Sequence, residues 1–336
     1  MNNITLNRQK YGSEDTDSWY TPYELVEEEC EHYIDQFEGK KILCNCDDPI
    51  ESNFTQYFIK NFIRLGIDEL ICVAYYPSKI NSVMSPSVKD IPVQIPENFT
   101  KGYFLRVKPK WYGVAGIGEQ LSYELQELDG HGDFLSGECI QLLKDCDIVV
   151  TNPPFSKFSM LFEEIQRYNK QYLLIANQNC ITYRSIFSAI KNGLAKVGYR
   201  FGNMNFRVSS DTIPRKSRFW IDSTGQKWRS LGNAIWLTNL KVDNSFRKLQ
   251  LVKNYDPSIY PKYDGQDVIH VDTVKDIPCD YIGKMAVPIT YLKYHNGKQF
   301  EILGKADHGS SLDEFDLFKP ILNGMEKFKR LIIRRI

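Results

Sequence analysis

"DIVVTNPPFSKF", residues 147–158, joins a short apolar run to four residues that cannot extend it. Residues 148–150 are β-branched, and such a run between turn-forming residues is typical of a buried strand. Pro153 and Pro154 have no backbone N–H and a fixed φ, so neither can continue the hydrogen bonding of a strand. The stretch therefore predicts a strand that ends abruptly at a rigid, polar turn.

Apolar segments on either side of this stretch alternate between strand-like and helix-like patterns. Such alternation is typical of βαβ units, which build a parallel sheet with helices on both faces, so the predicted fold class is α/β. The stretch 77–130 interrupts the alternation, and segments such as "KGYFLRVKPKW" (101–111) predict a hairpin-like insertion there. The further predicted strands are "KKILCNC" (40–46), "ELICVAYY" (69–76) and "KQYLLIAN" (170–177), and the predicted helices are "ESNFTQYFIKNFIRLG" (51–66), "SGECIQLLKDC" (136–146), "FSMLFEEIQRYN" (158–169) and "RSIFSAIKNG" (184–193).

The composition is that of a globular chain. Of its 336 residues, 42% are hydrophobic and 25% are charged, which is enough apolar material for a sizeable core and more than one domain. No apolar run approaches the roughly 20 residues of a membrane span, and the amino-terminal segment has no apolar signal region. We therefore expect a cytoplasmic protein with no membrane partner. The eight cysteines and five histidines lack paired metal-ligand spacing, so neither a disulfide framework nor a metal site is predicted.

Charge is unevenly distributed, although 42 basic residues balance 42 acidic ones. Residues 200–336 contain 23 Lys and Arg against 15 Asp and Glu, and residues 1–199 contain 19 against 27. The basic excess lies mostly in 200–253 and in "KFKRLIIRR" (327–335). Basic residues interleaved with aromatic ones suit a surface that follows phosphates and stacks bases, although a solvated loop with a few core aromatics explains the same pattern. The aromatic residues are Phe206, Phe219, Trp220 and Trp228.

Polar residues follow several of the predicted strands. In an open parallel sheet, ligands bind outside the carboxyl ends of the strands, so we expect these residues along one edge. Each taken alone is a common turn or cap residue, and their recurrence at successive strand ends favours a binding site. They are Asp47, Asp48, Asp133, Asn152 and Asn177.

The turn from Asn152 to Phe155 suggests a specific chemistry. The two prolines leave nearby carbonyls as rigid acceptors, and the Asn152 side chain adds another. A pair of acceptors matches a planar amino group with two N–H bonds, as on a nucleobase or an amide, and favours the geometry that this nitrogen adopts during attack. Phe155 offers a flat apolar face to an extruded base. The residues therefore indicate a reaction at a planar amino group and leave its identity open.

Seven segments spread along the chain share one resemblance. They are "DSWYTPYELVEEE" (17–29), "CNCDDPIESNF" (44–54), "GDFLSGECIQLLKDCDIVVTNPPFSKF" (132–158), "LLIANQNCITY" (173–183), "AIWLTNL" (234–240), "YPKYD" (260–264) and "DIPCDYIGKMAVPITYL" (276–292). Together they resemble the EcoRI modification methylases, a family of adenine-specific, S-adenosylmethionine-dependent DNA methyltransferases. The resemblance implies a Rossmann-like methyltransferase sheet in residues 1–245, with the insertion 77–130 and a DNA-contacting insertion at 205–232. It further implies a C-terminal DNA-recognition region at 246–336.

The resemblance also implies roles for individual residues. Its catalytic motif falls on Asn152, Pro153, Pro154 and Phe155. Its cofactor motifs fall on Tyr20, Thr21 and Pro22 beside the methionine part, on Asn45, Cys46, Asp47, Asp48 and Pro49 in the first motif, and on Asp133 and Phe134 at the cofactor adenine. The usual Gly-rich turn of the first motif is absent, and "ELICVAYY" lacks the acidic residue that commonly binds the ribose hydroxyls. No residue is therefore assigned to the ribose.

The reaction that the resemblance implies is direct methyl transfer to adenine N6 after the base is rotated out of duplex DNA. The expected partner is double-stranded DNA, with any cognate restriction endonuclease acting separately on it, and the enzyme is expected to be a monomer. Within the basic region we predict DNA contacts, mostly to phosphates, with arginine as the favoured base reader because of its bidentate geometry. These residues are Arg207, Arg215, Lys216, Arg218, Lys227 and Arg229.

Three other functions stay open. The methyl group could go to cytosine N4, an RNA base or a glutamine amide, the chain could be a catalytically inactive DNA-binding relative, or it could be a nucleotide-binding enzyme of another class. The basic C-terminal half argues against a protein substrate, and the intact Asn152–Phe155 motif argues against lost activity. "GVAGIGEQ" (113–120) lacks the lysine of a phosphate-binding loop, which argues against the third function.

Overall fold

A computed structural model describes residues 19–76, 100–110, 120–210, 212–214, 216–243 and 249–336. The α-helices are α1 (Tyr23–Cys30), α2 (Ile34–Phe37), α3 (Asn53–Lys60), α4 (Gly137–Asp145), α5 (Phe158–Arg167) and α6 (Arg184–Lys191). The first nine strands are β1 (Lys41–Cys44), β2 (Glu69–Ala74), β3 (Tyr103–Lys110), β4 (Gln120–Glu127), β5 (Ile148–Thr151), β6 (Gln171–Asn177), β7 (Lys196–Arg207), β8 (Phe219–Ile221) and β9 (Lys227–Thr238). The others are β10 (Val268–His270), β11 (Lys284–Pro288), β12 (Phe300–Ala306), β13 (Asp316–Phe318), β14 (Ile321–Leu322), β15 (Met325–Glu326) and β16 (Arg330–Arg335).

The chain divides into two compact units, and each unit is built from two separate stretches of the sequence. Unit 1 comprises residues 1–176 and 202–234, and unit 2 comprises residues 177–201 and 235–336. Strands β7 and β9 each have residues in both units. The predicted boundary at 245/246 separates a catalytic region from a target-recognition region. The division into compact units does not test those functions, so this boundary stays a prediction.

Unit 1 contains a mixed sheet whose strands lie in the order β4-β3-β2-β1-β5-β6. Strand β1 pairs in parallel with β2 and β5, and β5 pairs in parallel with β6. The predicted α/β fold class is confirmed, because helices alternate with these parallel strands along the chain. The expected insertion contributes β3 and β4, which pair antiparallel with each other and extend the sheet beyond β2. Residues 77–99 and 111–119 of that insertion lie outside the described residues.

Burial on both faces explains the composition of the central strands. All six residues of β2 and all four of β5 are buried, as expected where helices cover both faces of a parallel sheet. Helix α5 shows the complementary pattern, with a buried stripe at Phe158, Leu161, Phe162 and Ile165. This i, i+3, i+4, i+7 spacing places one apolar face on the sheet.

The helix predicted over 51–66 is shorter than the sequence pattern suggested. Helix α3 ends at Lys60, and turns follow it to Gly66, which has φ +62°. The Asn61 side chain donates to the Tyr57 carbonyl at 2.9 Å, so a local side-chain bond takes an acceptor of the last helical turn. The predicted end of α6 at Gly193 is confirmed by its φ of +71°.

A short hairpin lies in the part of the basic region that belongs to unit 1. Strand β8 pairs antiparallel with the start of β9, with Phe219 opposite Arg229 and Ile221 opposite Lys227. Asp222 builds the turn by accepting from the backbone N–H groups of Thr224 and Gln226.

Unit 2 contains a five-stranded sheet in the order β10-β11-β16-β12-β13 and a small β14-β15 pair. Strand β16 is antiparallel to both of its neighbours. Helix α6 packs on β12, where the Lys191 ammonium donates to the Leu303 carbonyl at 3.0 Å. The described helices of the chain include none with the length and apolar character of a membrane span. The core of the unit includes Tyr263, Val268, Ala286, Ala306, Phe318, Leu322 and Ile332.

The backbone at Gly132 should tolerate no side chain. Gly132 has φ +79°, and a Cβ added there would lie 2.4 Å from the Ala74 carbonyl oxygen. We expect Gly132→Ala to lower the free energy of unfolding by about 2–4 kcal/mol, as measured by urea denaturation. Gly137→Ala is the matched control, because a Cβ there meets no atom within 4 Å. Equal stability of the two variants would contradict the close approach of these two backbone segments.

Candidate functional site

The carboxyl ends of β1 and β5 bring the two main predicted motifs together. Asp47 follows β1, and its Oδ2 accepts from the Thr151 hydroxyl at the end of β5 at 2.5 Å. Its Oδ1 accepts from the Ser52 hydroxyl at 2.8 Å. Asp47 therefore joins the predicted first cofactor motif to the strand that Asn152 follows.

The Asp47 carboxyl is only 7% exposed. Burial raises its pKa to about 7, although hydrogen bonds from Thr151, Ser52 and the Asn152 backbone oppose the shift. The neighbouring Asn45 is also buried, and the Cys46 thiol donates to its Oδ1 at 3.8 Å. Burial raises the pKa of the Cys46 thiol well above its usual value, so this thiol stays protonated at neutral pH.

Asp48 organises the loop after β1. Its Oδ1 accepts from the backbone N–H groups of Ile50 and Glu51 at 2.8 and 3.1 Å, and its Oδ2 accepts from the Tyr103 hydroxyl at 2.9 Å. Burial raises the pKa of Asp48, although these three hydrogen bonds oppose the shift. Pro49, which lies between Asp48 and Ile50 in the sequence, is buried. Tyr103 was not foreseen from sequence, because its proximity depends on β3 pairing with β2.

The Asn152 side chain is held in one orientation. Its Nδ2 donates to the Trp19 carbonyl at 2.7 Å and to the Thr21 hydroxyl at 3.2 Å. Its Oδ1 is buried and has no hydrogen-bond partner among the described residues. Since both amide hydrogens are engaged, the oxygen remains as the acceptor of this group.

The segment Trp19–Pro22 connects several parts of unit 1. Tyr20 exchanges backbone hydrogen bonds with Arg207 at 2.9 and 3.0 Å. The Thr21 carbonyl accepts from the Asn53 side chain at 2.8 Å, and Pro22 precedes the first residue of α1. The predicted cofactor segment is therefore attached to β7, to α3 and to the Asn152 turn.

Phe155 lies beside Trp19, which itself contacts an aromatic and a basic side chain. The Trp19 ring lies 6.1 Å from the Phe155 ring and 5.5 Å from the Phe206 ring, centroid to centroid. The Arg229 guanidinium lies 4.7 Å from the Trp19 ring centroid. Phe155 begins a short 3₁₀ turn that follows the two prolines, and it is half-buried.

Asp133 is the predicted partner of the cofactor adenine. Its Oδ1 accepts from the Leu135 N–H at 2.9 Å, and its Oδ2 lies 3.3 Å from the Lys157 ammonium. Phe134 is buried, and the Lys157 ammonium lies 6.0 Å from its ring centroid. Lys157 was not foreseen, although its place two residues after Phe155 in the motif segment is a usable sequence signal.

The predicted DNA-contacting residues lie in different environments. Lys216 and Arg218 are exposed, and the Arg218 guanidinium lies against Gly232. The Lys227 ammonium donates to the carbonyls of Ser210 and Thr212. Arg215 lies outside the described residues.

The other two arginines of this set make contacts inside unit 1. Arg229 is 8% exposed and lies on Trp19, and the Arg207 guanidinium lies 5.5 Å from the Trp228 ring centroid. Trp228 stacks on Trp220 with an interplanar angle of 4° and donates to Asp222 at 2.7 Å. These arginines therefore support the hairpin and the Phe155 surroundings.

One residue of the predicted edge, Asn177, lies outside unit 1. Asn177 belongs to unit 2, where its side chain accepts from the Asn179 N–H at 2.9 Å and begins a 3₁₀ turn. In the described ranges, no cluster of three or more His, Cys, Asp or Glu side chains could hold a metal ion.

The sequence of this chain is similar to those of known proteins. A family described as adenine-specific methyltransferase EcoRI matches residues 6–335. Type II methyltransferase M.EcoRI of Escherichia coli is 37% identical over 326 residues, which covers 95% of this chain and 93% of the relative. Type II methyltransferase M.MpnI of Mycoplasma pneumoniae is 32% identical over 295 residues, covering 85% and 81%. Type II methyltransferase M.MgeORF184P of Mycoplasma genitalium is 31% identical over 333 residues, covering 94% and 95%. No solved structure matches the chain.

The raised pKa of Asp47 has a measurable consequence for stability. Because its folded pKa of about 7 exceeds the ordinary aspartate value of 3.8, its contribution to stability is full below the unfolded pKa and is lost as pH rises through the folded one. We expect wild type to lose stability relative to Asp47→Asn by on the order of 4 kcal/mol between about pH 4 and pH 7, and no more above it. Urea denaturation across this range measures the difference.

The control for this prediction is Asp35→Asn, which removes an exposed carboxyl. It should follow the wild-type pH dependence. A stability difference between wild type and Asp47→Asn that stays constant with pH would contradict the buried environment of Asp47.

Proposed function

Because the chain belongs to the adenine-specific EcoRI methyltransferase family, we propose that it methylates adenine N6 at a specific site in double-stranded DNA. Three relatives carry the name Type II methyltransferase, which supports a role in restriction-modification. Family membership favours adenine over cytosine N4, an RNA base or a glutamine amide. It also favours an active enzyme over a binding-only relative.

The orientation of Asn152 is the observation that carries the proposal. Its Nδ2 is engaged by Trp19 and Thr21, and its buried Oδ1 lacks a partner among the described residues. A buried acceptor without a donor costs free energy, and an amino N–H of the target base would satisfy it. The arrangement therefore suits a substrate that brings its own N–H group.

The proposed cofactor is S-adenosylmethionine, which supplies an activated methyl group on a sulfonium when bound. The site fits such a group, because the Oε2 of Glu51 is, like the Oδ1 of Asn152, a buried polar atom without a hydrogen-bond partner in the described residues. We assign the methionine part to the Tyr20–Pro22 segment and the adenine to Asp133 and Phe134. In this assignment, the loop Asn45–Pro49 lies between the methionine part and the adenine of the cofactor.

Catalysis is proposed to rest on placing acceptors at the target nitrogen. The Asn152 Oδ1 accepts one N–H of the amino group, and a nearby backbone carbonyl accepts the other. The Pro154 carbonyl already accepts from the Lys157 N–H at 3.0 Å, so we assign the second role to Pro153. Two acceptors favour the pyramidal nitrogen of the transition state over the planar nitrogen of the free base. An amide oxygen is a poor base, so the displaced proton passes to solvent after transfer.

Phe155 is proposed to stack on the extruded adenine. It begins the turn that follows the two prolines, its ring lies tilted against the Trp19 ring, and Trp19 in turn packs edge-to-face on Phe206. Aromatic stacking replaces part of the stacking that the base loses in leaving the duplex.

DNA phosphates are proposed to contact Arg215, Lys216 and Arg218, while Arg207, Lys227 and Arg229 hold the surrounding structure. Residues 246–336 are proposed to complete target recognition beside a catalytic region at 1–245. We further propose that the enzyme is a cytoplasmic monomer that works on the same DNA as any cognate endonuclease without binding it.

Removal of the Asn152 amide tests the proposed chemistry. We expect Asn152→Ala to slow single-turnover methyl transfer by about 10²–10³-fold, because the lost acceptor acts mainly in the transition state. Cofactor and DNA affinities should stay near wild type in direct binding measurements. Asn192→Ala, at an exposed position after α6, is the control. Near-normal transfer by Asn152→Ala would refute the mechanism.

The proposed phosphate contacts predict a change in salt dependence. We expect the triple variant Arg215→Ala, Lys216→Ala, Arg218→Ala to bind DNA more weakly and to reduce the log–log salt slope by up to about three. Fluorescence anisotropy at several salt concentrations measures both. The double variant Lys41→Ala, Lys60→Ala removes two exposed lysines elsewhere in unit 1 and should keep the wild-type slope. An unchanged slope in the triple variant would place the DNA surface elsewhere.

A further inference from the structure

Glu51 carries a buried carboxyl oxygen without a hydrogen-bond partner among the described residues, in the loop that follows β1. It lies in the loop between β1 and α3, where its backbone N–H donates to the Asp48 Oδ1 at 3.1 Å. Its Oε2 is buried and has no hydrogen-bond partner in the part of the chain that the structure describes. A buried carboxylate oxygen needs a hydrogen-bond donor, and a charged one needs a positive partner as well.

The described groups that interact electrostatically with Glu51 do not supply that charge. The charge of Asp48, in the same loop, raises the pKa of Glu51. The charge of Glu51 in turn raises the pKa of Tyr20 in the amino-terminal segment and of Tyr103 in β3. Burial and the Asp48 carboxylate raise the pKa of Glu51 to about 8. These four groups are two neighbouring carboxyls and two phenols, and none of them is a cation.

The chemistry of S-adenosylmethionine distinguishes three possible partners. The sulfonium is positive but has no hydrogen to donate. The ribose hydroxyls donate hydrogen bonds but carry no charge. The α-ammonium of the methionine part provides both a positive charge and three N–H donors.

We propose that the Glu51 carboxylate binds the α-ammonium of the methionine part of S-adenosylmethionine. This inference rests on the proposed function, because it presumes that cofactor. The place of Glu51 agrees with it, since Tyr20 belongs to the segment assigned to the methionine part.

The proposed pairing couples cofactor binding to the release of a proton. A Glu51 carboxyl with a pKa of about 8 is mostly protonated at pH 7. An adjacent ammonium favours the ionised form and lowers that pKa. Binding at pH 7 therefore releases the carboxyl proton to the buffer, and the free carboxylate pairs with the ammonium.

Isothermal titration of the full chain with three ligands tests the assignment. S-adenosylmethionine carries both cations, S-adenosylhomocysteine keeps the ammonium but lacks the sulfonium, and 5′-methylthioadenosine lacks the amino-acid group altogether. We expect Glu51→Gln to weaken binding of the first two at least tenfold and to leave binding of the third unchanged. Glu24→Gln, at an exposed position in α1, should bind all three like wild type.

Proton release provides the second readout. The observed heat of S-adenosylhomocysteine binding at pH 7 should depend on the ionisation enthalpy of the buffer for wild type. That dependence should decrease in Glu51→Gln, in which Asp47 is the remaining carboxyl of this loop with a pKa of about 7. A decrease together with unchanged 5′-methylthioadenosine binding separates a direct role from local unfolding.

Several outcomes would overturn the inference. A loss confined to S-adenosylmethionine would assign Glu51 to the sulfonium, and an equal loss for 5′-methylthioadenosine would assign it to the ribose or to the fold. Unchanged affinities in Glu51→Gln, with normal wild-type binding, would refute this inference and leave the proposed function intact. Failure of wild type to bind either amino-acid-bearing ligand would refute both.

Discussion

The hydrogen bond from the Thr151 hydroxyl to the Asp47 carboxylate is the contact on which the arrangement of the site depends. It joins the ends of two parallel neighbours, β1 and β5, whose following loops carry the two main predicted motifs. Burial keeps the carboxyl costly to ionise, and the same burial excludes water from the bond. A single buried contact thus sets the spacing between the loop assigned to the cofactor and the turn assigned to the target base.

Two buried acceptors define what the site lacks. The Oδ1 of Asn152 and the Oε2 of Glu51 are both without hydrogen-bond partners in the described residues, although the rest of each loop is well bonded. Native proteins rarely leave such groups unpaired unless a ligand or water completes them. Under the proposed function, a substrate amino group would complete the Asn152 oxygen and a cofactor ammonium would complete the Glu51 oxygen.

Basic residues in the 205–232 region have separate physical roles. Arg229 is buried on Trp19, and Lys227 bonds two backbone carbonyls. Lys216 and Arg218 stay exposed. A basic, aromatic sequence therefore builds both the surroundings of Trp19 and an exposed charged surface, and sequence composition does not separate these uses.

The sequence by itself determined the α/β class, the parallel strands, the family and the Asn152–Phe155 motif. These depend on local hydrophobic patterning and on short motifs, which are properties of neighbouring residues. Only the tertiary structure decided that Tyr103 bonds Asp48, that Lys157 pairs with Asp133 and that Glu51 has an unpaired oxygen. Tyr103 reaches Asp48 because β3 pairs antiparallel with β2, and contacts between distant segments follow from strand order and side-chain direction, which local patterns do not encode.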